Sequence, residues 1–157
     1  MLWKAKRGNV AQKTILLIDD EQGLLEALED ALTHEGHRVL KAFTGEEALA
    51  TLARERVDLA TVDVMLPPGP SLLSETSSQR TGVYLCHRIV KLYPKIDLFC
   101  LSVVNDPEII REIQSLGVRF LRKGETPLKT VLNMMRSRLT GLAYSSERDG
   151  DRWPRGD

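Results

Sequence analysis

Cysteine is nearly absent from this chain. Cys86 and Cys100 are the only two in 157 residues, and neither sits in a C-x-x-C or other metal-type spacing. That argues against a disulfide-stapled scaffold and against a thiolate metal site. Two buried, reduced thiols are expected instead, and with them a cytoplasmic location. Histidine is as scarce: His34, His37 and His87 carry no ligand spacing, and Gly36 interrupts the only close pair. None suits a metal site or a phospho-histidine relay. Long apolar runs are missing too; stretches such as Thr14 to Ile18 are far too short to span a bilayer. Met1 to Lys13 is basic at Lys4, Lys6 and Arg7, but no apolar segment of signal-peptide type follows it. Charge of one sign is not in excess either. The 22 Lys and Arg balance the 22 Asp and Glu, so no overall field favours nucleic acid or an anionic membrane. There is no internal repeat.

What is present is a 42% hydrophobic chain with a charged fraction of 28%, enough for one core in one domain of ordinary size. Short apolar runs alternate with helical segments, the pattern of an α/β fold with a parallel sheet. Thr14–Ile18 reads as a fully buried strand that ends in Asp19-Asp20-Glu21. A helix follows with Leu24, Leu28, Ala31 and Leu32 on one face and Gly36 just past its end. Arg38 to Ala42 is a second strand, and Thr44 caps a helix that turns Ala48, Leu49 and Leu52 inward. Leu59 to Val62 is a third strand, ending in Asp63. Pro67-Pro68-Gly69-Pro70 and the serines after it break regular structure as far as Thr81. Helical spacing resumes near Gly82 with Leu85, Cys86, Ile89 and Tyr93, and stops at Pro94. Asp97 to Leu101 is a fourth strand, ending in Ser102. Asp106-Pro107 opens a helix carrying Ile110, Ile113 and Leu116. Val118 to Leu121 is a fifth strand, closed by Arg122-Lys123-Gly124. The last helix starts at Thr126-Pro127 and points Leu128, Val131, Leu132, Met135 and Leu139 inward. Beyond Gly141 the chain turns polar, as an expected disordered tail. Trp3 and Trp153 lie in the terminal segments with no assignable contact.

In a doubly wound sheet, ligands bind at the carboxyl ends of the strands. Strand one ends in Asp19, Asp20 and Glu21, strand three in Asp63, strand four in Ser102 and strand five in Lys123. Two or three carboxylates can hold a Mg²⁺ that also takes a phosphate oxygen. A carboxylate can attack phosphorus, an ammonium neutralises the phosphoryl charge and a hydroxyl hydrogen-bonds it. Each signal alone has an ordinary explanation, as a helix cap, a turn residue or a solvated lysine. Together, in this order on different strands, they resemble the receiver domain of response regulators, over roughly Lys13 to Thr140. The resemblance implies a single five-stranded parallel sheet of flavodoxin-like order 2-1-3-4-5 with helices on both faces. It makes Asp63 the phospho-acceptor, and Asp19, Asp20, Asp63 and the backbone carbonyl of Met65 the Mg²⁺ ligands. It makes Ser102 and Lys123 the groups that contact the phosphoryl, and Ser102 and Phe120 the switch pair. The donor would be a sensor histidine kinase or phosphotransfer protein. The output would be a protein contact of unknown identity on the face of the fourth helix, fifth strand and fifth helix, including a phosphorylation-dependent dimer. No direct nucleic-acid or membrane partner is implied, and no activity beyond self-phosphorylation and slow self-dephosphorylation. Domain boundaries follow: a basic extension over 1–12, a receiver over 13–141 and a polar tail over 142–157.

The chain departs from the family pattern in three places. The family's Asp-x-x-x-Pro-x-x-x-Gly is matched at Asp63 and Pro67, but the suitable glycine, Gly82, lies about eleven residues late. Residues 68–81 are therefore an insertion beside the phosphorylation site, either an inert excursion or a gate that selects the donor. Gly124 follows Lys123 where the family usually has proline, which predicts a looser loop. Val103 follows Ser102 where a smaller residue is usual, which predicts slow phosphoryl turnover. These departures keep open a phosphorylation-independent adaptor or dimerisation module. A Mg²⁺-dependent phosphohydrolase is disfavoured, because Met65 stands where its acid/base aspartate would be.

Overall fold

Buried on both sides, β1 (Thr14–Ile18) alternates its side chains into two different cores. Leu16 and Ile18 face one, Ile15 and Leu17 the other, as the two-residue period of a strand requires. In the computed structural model, which describes residues 11–141, the chain then runs through α1 (Gln22–His34), β2 (Arg38–Ala42), α2 (Gly45–Arg54) and β3 (Leu59–Val62). It continues through α3 (Thr81–Leu92), β4 (Asp97–Ser102), α4 (Pro107–Ser115), β5 (Arg119–Arg122) and α5 (Leu128–Thr140). The five strands form one parallel sheet in the order β2-β1-β3-β4-β5, as expected.

The helices divide between the faces. Leu25, Leu28 and Leu32 of α1 pack with Val131, Leu132, Met135 and Leu139 of α5 against Ile15, Leu17, Leu59 and Leu101. Ala48 and Leu52 of α2, Val83, Cys86 and Ile89 of α3, and Ile113 of α4 cover the other face over Leu16, Ile18, Val62 and Cys100. Each fully buried large aliphatic side chain contributes about 1.5–3 kcal/mol relative to exposure, so the two layers together fix the sheet. Local chemistry sets the helix starts. Thr44 Oγ1 accepts from Glu47 N at 3.1 Å, and Asp106 Oδ1 accepts from Glu108 N at 2.9 Å with Pro107 at the first helical position.

Some expected details are corrected. Leu25 is also on the buried face of α1 and is more deeply buried than Leu24, which packs against the same core. Leu128 opens α5 and is exposed, while Thr130 and Val131 of the same turn are buried. The fifth strand starts one residue later than expected, at Arg119. The segment after Pro67 also has some regular structure: a 3₁₀ turn at Pro70–Leu72, with Leu72 buried. The terminal extension and tail, with Trp3 and Trp153, lie outside the described residues.

Candidate functional site

Parallel register brings distant residues to one edge. Ile18 pairs with Ala42 and with Val62, Val62 with Cys100, and Ser102 with Arg122. The ladder continues one step past the strand ends: Asp19 N donates to Ala42 O at 3.0 Å, Asp63 N to Ile18 O at 2.9 Å and Lys123 N to Ser102 O at 2.9 Å. Asp19, Asp63, Ser102 and Lys123 therefore stand side by side at the carboxyl ends of β1, β3, β4 and β5, the place where such sheets bind ligands.

Lys123 is the hub of the acids. Its Nζ lies 2.7 Å from Asp19 Oδ2, 3.0 Å from Asp63 Oδ2 and 3.2 Å from Glu21 Oε2. Burial works against the ammonium charge, but the hydrogen bond to Asp19 and the charges of Asp63 and Asp19 outweigh it and hold Lys123 protonated above its ordinary range. Burial pushes the Asp19 carboxyl above its usual value, opposed by the hydrogen bonds from Lys123 and from Glu21 N. Asp20 differs, being exposed to solvent. One oxygen from each of Asp19, Asp20 and Asp63 can be chosen so that all lie within 4.8 Å of one another, a hard-oxygen set suited to a small divalent cation. Four carboxylates against one ammonium also favour a cation electrostatically.

Around this cluster, Asp63 Oδ1 accepts a long bond from Met65 N at 3.4 Å, while the Met65 side chain is exposed. Ser102 is fully buried, and its Oγ accepts from Val104 N at 3.3 Å. Val103 between them is 62% exposed and turned away from the core. Phe120 is half-buried on the edge strand and packs against the α2–α3–α4 layer. Gly124 takes φ +82, a left-handed conformation that costs glycine little. Glu21 was visible in the sequence as one of three adjacent acids, but only the fold reveals its contact with Lys123. His37 is buried with Nδ1 accepting from Lys13 N, and His87 meets Glu112. Both lie outside the acid cluster.

Gly82 explains the spacing of the motif. A Cβ there would lie 2.1 Å from the Asp63 carbonyl oxygen and 2.5 Å from Val64 Cα, and Gly82 N donates to Val64 O at 2.9 Å. The start of α3 thus rests directly on the backbone that carries Asp63. The inserted segment leaves and returns around this contact without breaking it.

The model of the response regulator receiver domain matches residues 15–133. Response regulator GtcR of Aneurinibacillus migulanus is 32% identical over 120 residues, 76% of this chain and 45% of its own length. Transcriptional regulatory protein AfsQ1 of Streptomyces coelicolor is 48% identical over 54 residues, 34% of this chain and 24% of its own. The chain spans less than half the length of these curated relatives. Among solved structures, a CheY-like receiver domain from Methanospirillum hungatei superimposes with a TM-score of 0.70 at 24% identity, covering 84% of this chain and 97% of that one. The non-phosphorylated HemR receiver domain of Leptospira biflexa gives 0.68 at 26% identity, covering 82% and 95%.

Proposed function

This chain belongs to the response regulator receiver domain family of two-component systems, and from that premise we propose that Asp63 is its phospho-acceptor. Receiver domains are signalling domains rather than conventional enzymes, and the proposed chemistry is one transfer. A carboxylate oxygen of Asp63 forms a bond to phosphorus as the nitrogen–phosphorus bond of a phospho-histidine breaks, and the leaving imidazole takes up a proton. The observation that carries this reading is the Lys123 contact. An ammonium 3.0 Å from Asp63, held by Asp19 at 2.7 Å, is already placed to accept the charge of an arriving phosphoryl group.

Asp19, Asp20, Asp63 and the Met65 carbonyl would hold Mg²⁺, which when bound would offset negative charge on the phosphoryl oxygens. Ser102 would turn its hydroxyl from Val104 N toward the phosphoryl group, and Phe120 would repack behind it. The face of α4, β5 and α5 would then change its contacts, a shift between two packings biased by one dianionic group. The donor would be a sensor histidine kinase or phosphotransfer protein in the cytoplasm, and the output another protein or a second copy of this chain. The same reading assigns 13–141 to the receiver, with residues 1–12 and 142–157 as flanking segments. No helix among the described residues is long and apolar enough to cross a membrane.

The test is intact mass after incubation with a small acyl phosphate. One phosphoryl group should be gained with Mg²⁺ present and none with it chelated. No gain with any of several donors would sink the phospho-acceptor reading and favour the adaptor. A second expectation concerns Val103, which borders the site at Ser102. Val103→Ala should lose its phosphoryl group a few-fold faster than wild type, because less bulk then hinders the attacking water; a slower loss would contradict the crowding argument.

A further inference from the structure

The inserted segment is anchored at both ends. At its start, Gly45 N donates to Pro67 O at 2.9 Å and Glu46 N to Pro68 O at 2.8 Å. Ser71 N then donates to Glu46 Oε2 at 3.1 Å, and Leu72 is buried at 7% exposure, reaching as far as Gly45. At its end stands Arg80, immediately before α3. Its Nη2 lies 2.6 Å from Glu112 Oε2 on α4, and His87 Nε2 from α3 meets the other oxygen of that carboxylate at 3.3 Å. The segment therefore runs from the head of α2 to α4, and a single carboxylate on α4 receives two groups from the α3 side.

The opposite end of the same helix is tied to the acid site. Val104 N donates to Ser102 Oγ, and only Asn105 separates Val104 from Asp106, the cap of α4. Any turn of the Ser102 hydroxyl toward Asp63 releases Val104 N and frees the head of α4. Whether the helix then moves depends on what holds it further along, and Glu112 lies on its second turn. The other end of this tie is firm, because Gly82 in the first turn of α3 rests against the Asp63 carbonyl.

We propose that Arg80, with His87, is a brace that holds α4 against α3 through Glu112, and that the insertion thereby opposes the phosphorylated packing. The segment is a strap across the helical layer, set against α2 and α4. This rests on the phospho-acceptor reading for its consequence, though not for the brace itself. The brace stabilises the arrangement in which Ser102 faces Val104, so removing it lowers the cost of the alternative packing. A ligand that selects that alternative then binds more tightly in proportion to its increased population.

The experiment uses the full chain with beryllofluoride and Mg²⁺ as the phosphoryl stand-in. Three variants, Arg80→Ala, Glu112→Gln and the double, are compared after melting curves show that each is folded. Each single variant should raise beryllofluoride affinity by about twofold to fivefold, the range of an exposed ion pair. The double should match Glu112→Gln, which removes both contacts to that carboxylate, while Arg80→Ala leaves His87 in place and should fall at or below it. Additive effects, no effect or weaker affinity in the singles would overturn the brace. Hydrogen exchange in the absence of beryllofluoride provides the separate readout. Amides of Ile110 to Ile113 should exchange faster in Arg80→Ala, and unchanged exchange there would also overturn it. If exchange rises while even wild type takes up no beryllofluoride, the brace stands and the phospho-acceptor reading falls.

Discussion

Asp63→Ala should abolish phosphoryl gain from any donor, a drop of more than about a thousandfold, because no neighbouring carboxylate can substitute for it. The geometry distinguishes the three aspartates. Asp19 has both oxygens engaged, Oδ1 by Glu21 N at 2.9 Å and Oδ2 by Lys123 at 2.7 Å, so attack would require giving up two bonds. Asp20 is exposed and lies outside the Lys123 contacts, so charge developing on a phosphoryl group would be offset by no ammonium there. Asp63 shares Lys123 through one oxygen and holds the other only by the 3.4 Å contact from Met65 N. It combines a partly free oxygen with a cation beside it.

The same variant should remain folded. Lys123 keeps Asp19 and Glu21 when Asp63 is removed, so no buried charge loses its last partner, and one of four crowded carboxylates disappears. The melting midpoint should be no lower than wild type. Intact mass and a thermal melt on the same sample check both statements. Phosphoryl gain in Asp63→Ala would move the acceptor to another residue and break the functional reading at its centre.

Much of this arrangement was legible in the residues because a parallel sheet turns strand ends into neighbours. Once the apolar runs ending at Ile18, Val62, Leu101 and Leu121 are read as strands, Asp19, Asp63, Ser102 and Lys123 must meet along one edge, whatever the loops do. The alternation of Ile15 and Leu17 with Leu16 and Ile18 likewise forces two covering layers. What escaped was set by geometry that local pattern does not carry. Leu24 and Leu25 both fit a helical stripe and both pack against the Ile15 and Leu17 core, and only the packing shows that Leu25 is the deeper of the two. Leu128 has the right spacing for the α5 stripe but is exposed as the helix's first residue. The proline-rich stretch read as irregular because its buried apolar anchor, Leu72, finds its pocket on a different helix, beside Gly45. Glu112 and Arg80 are 32 residues apart, with nothing in either neighbourhood to pair them. Such long-range polar contacts depend on helix orientation, which hydrophobic periodicity leaves undetermined.

Gly82→Ala should be the most destabilising single methyl addition at any glycine among the described residues. The new Cβ would fall 2.1 Å from Asp63 O, 2.5 Å from Val64 Cα and 2.7 Å from the Asp63 carbonyl carbon, all of them backbone atoms. A flexible side chain can swing aside, but here either α3 or the strand end must move by an ångström or more. Overpacking of this kind costs about 3 kcal/mol or more when backbone must yield. For a domain of this size that lowers the melting midpoint by roughly 6–12 °C. Gly23 is the control, being helical, with nothing within 4 Å of an added Cβ. Gly23→Ala should be neutral or stabilising by up to about 1 kcal/mol, since alanine is the better helix former. The loss in Gly82→Ala should extend to chemistry as well. Backbone displaced at Asp63 and Val64 carries the Asp63 carboxylate away from Lys123, and a shift of about 1 Å at a reacting group can cost a hundredfold in rate. Denaturant melts of both variants and phosphoryl gain at a temperature where Gly82→Ala is still folded separate the two effects. Near-wild-type stability and phosphorylation in Gly82→Ala would mean that α3 does not rest on the Asp63 backbone, and that the late glycine does not fill the place the motif assigns to it.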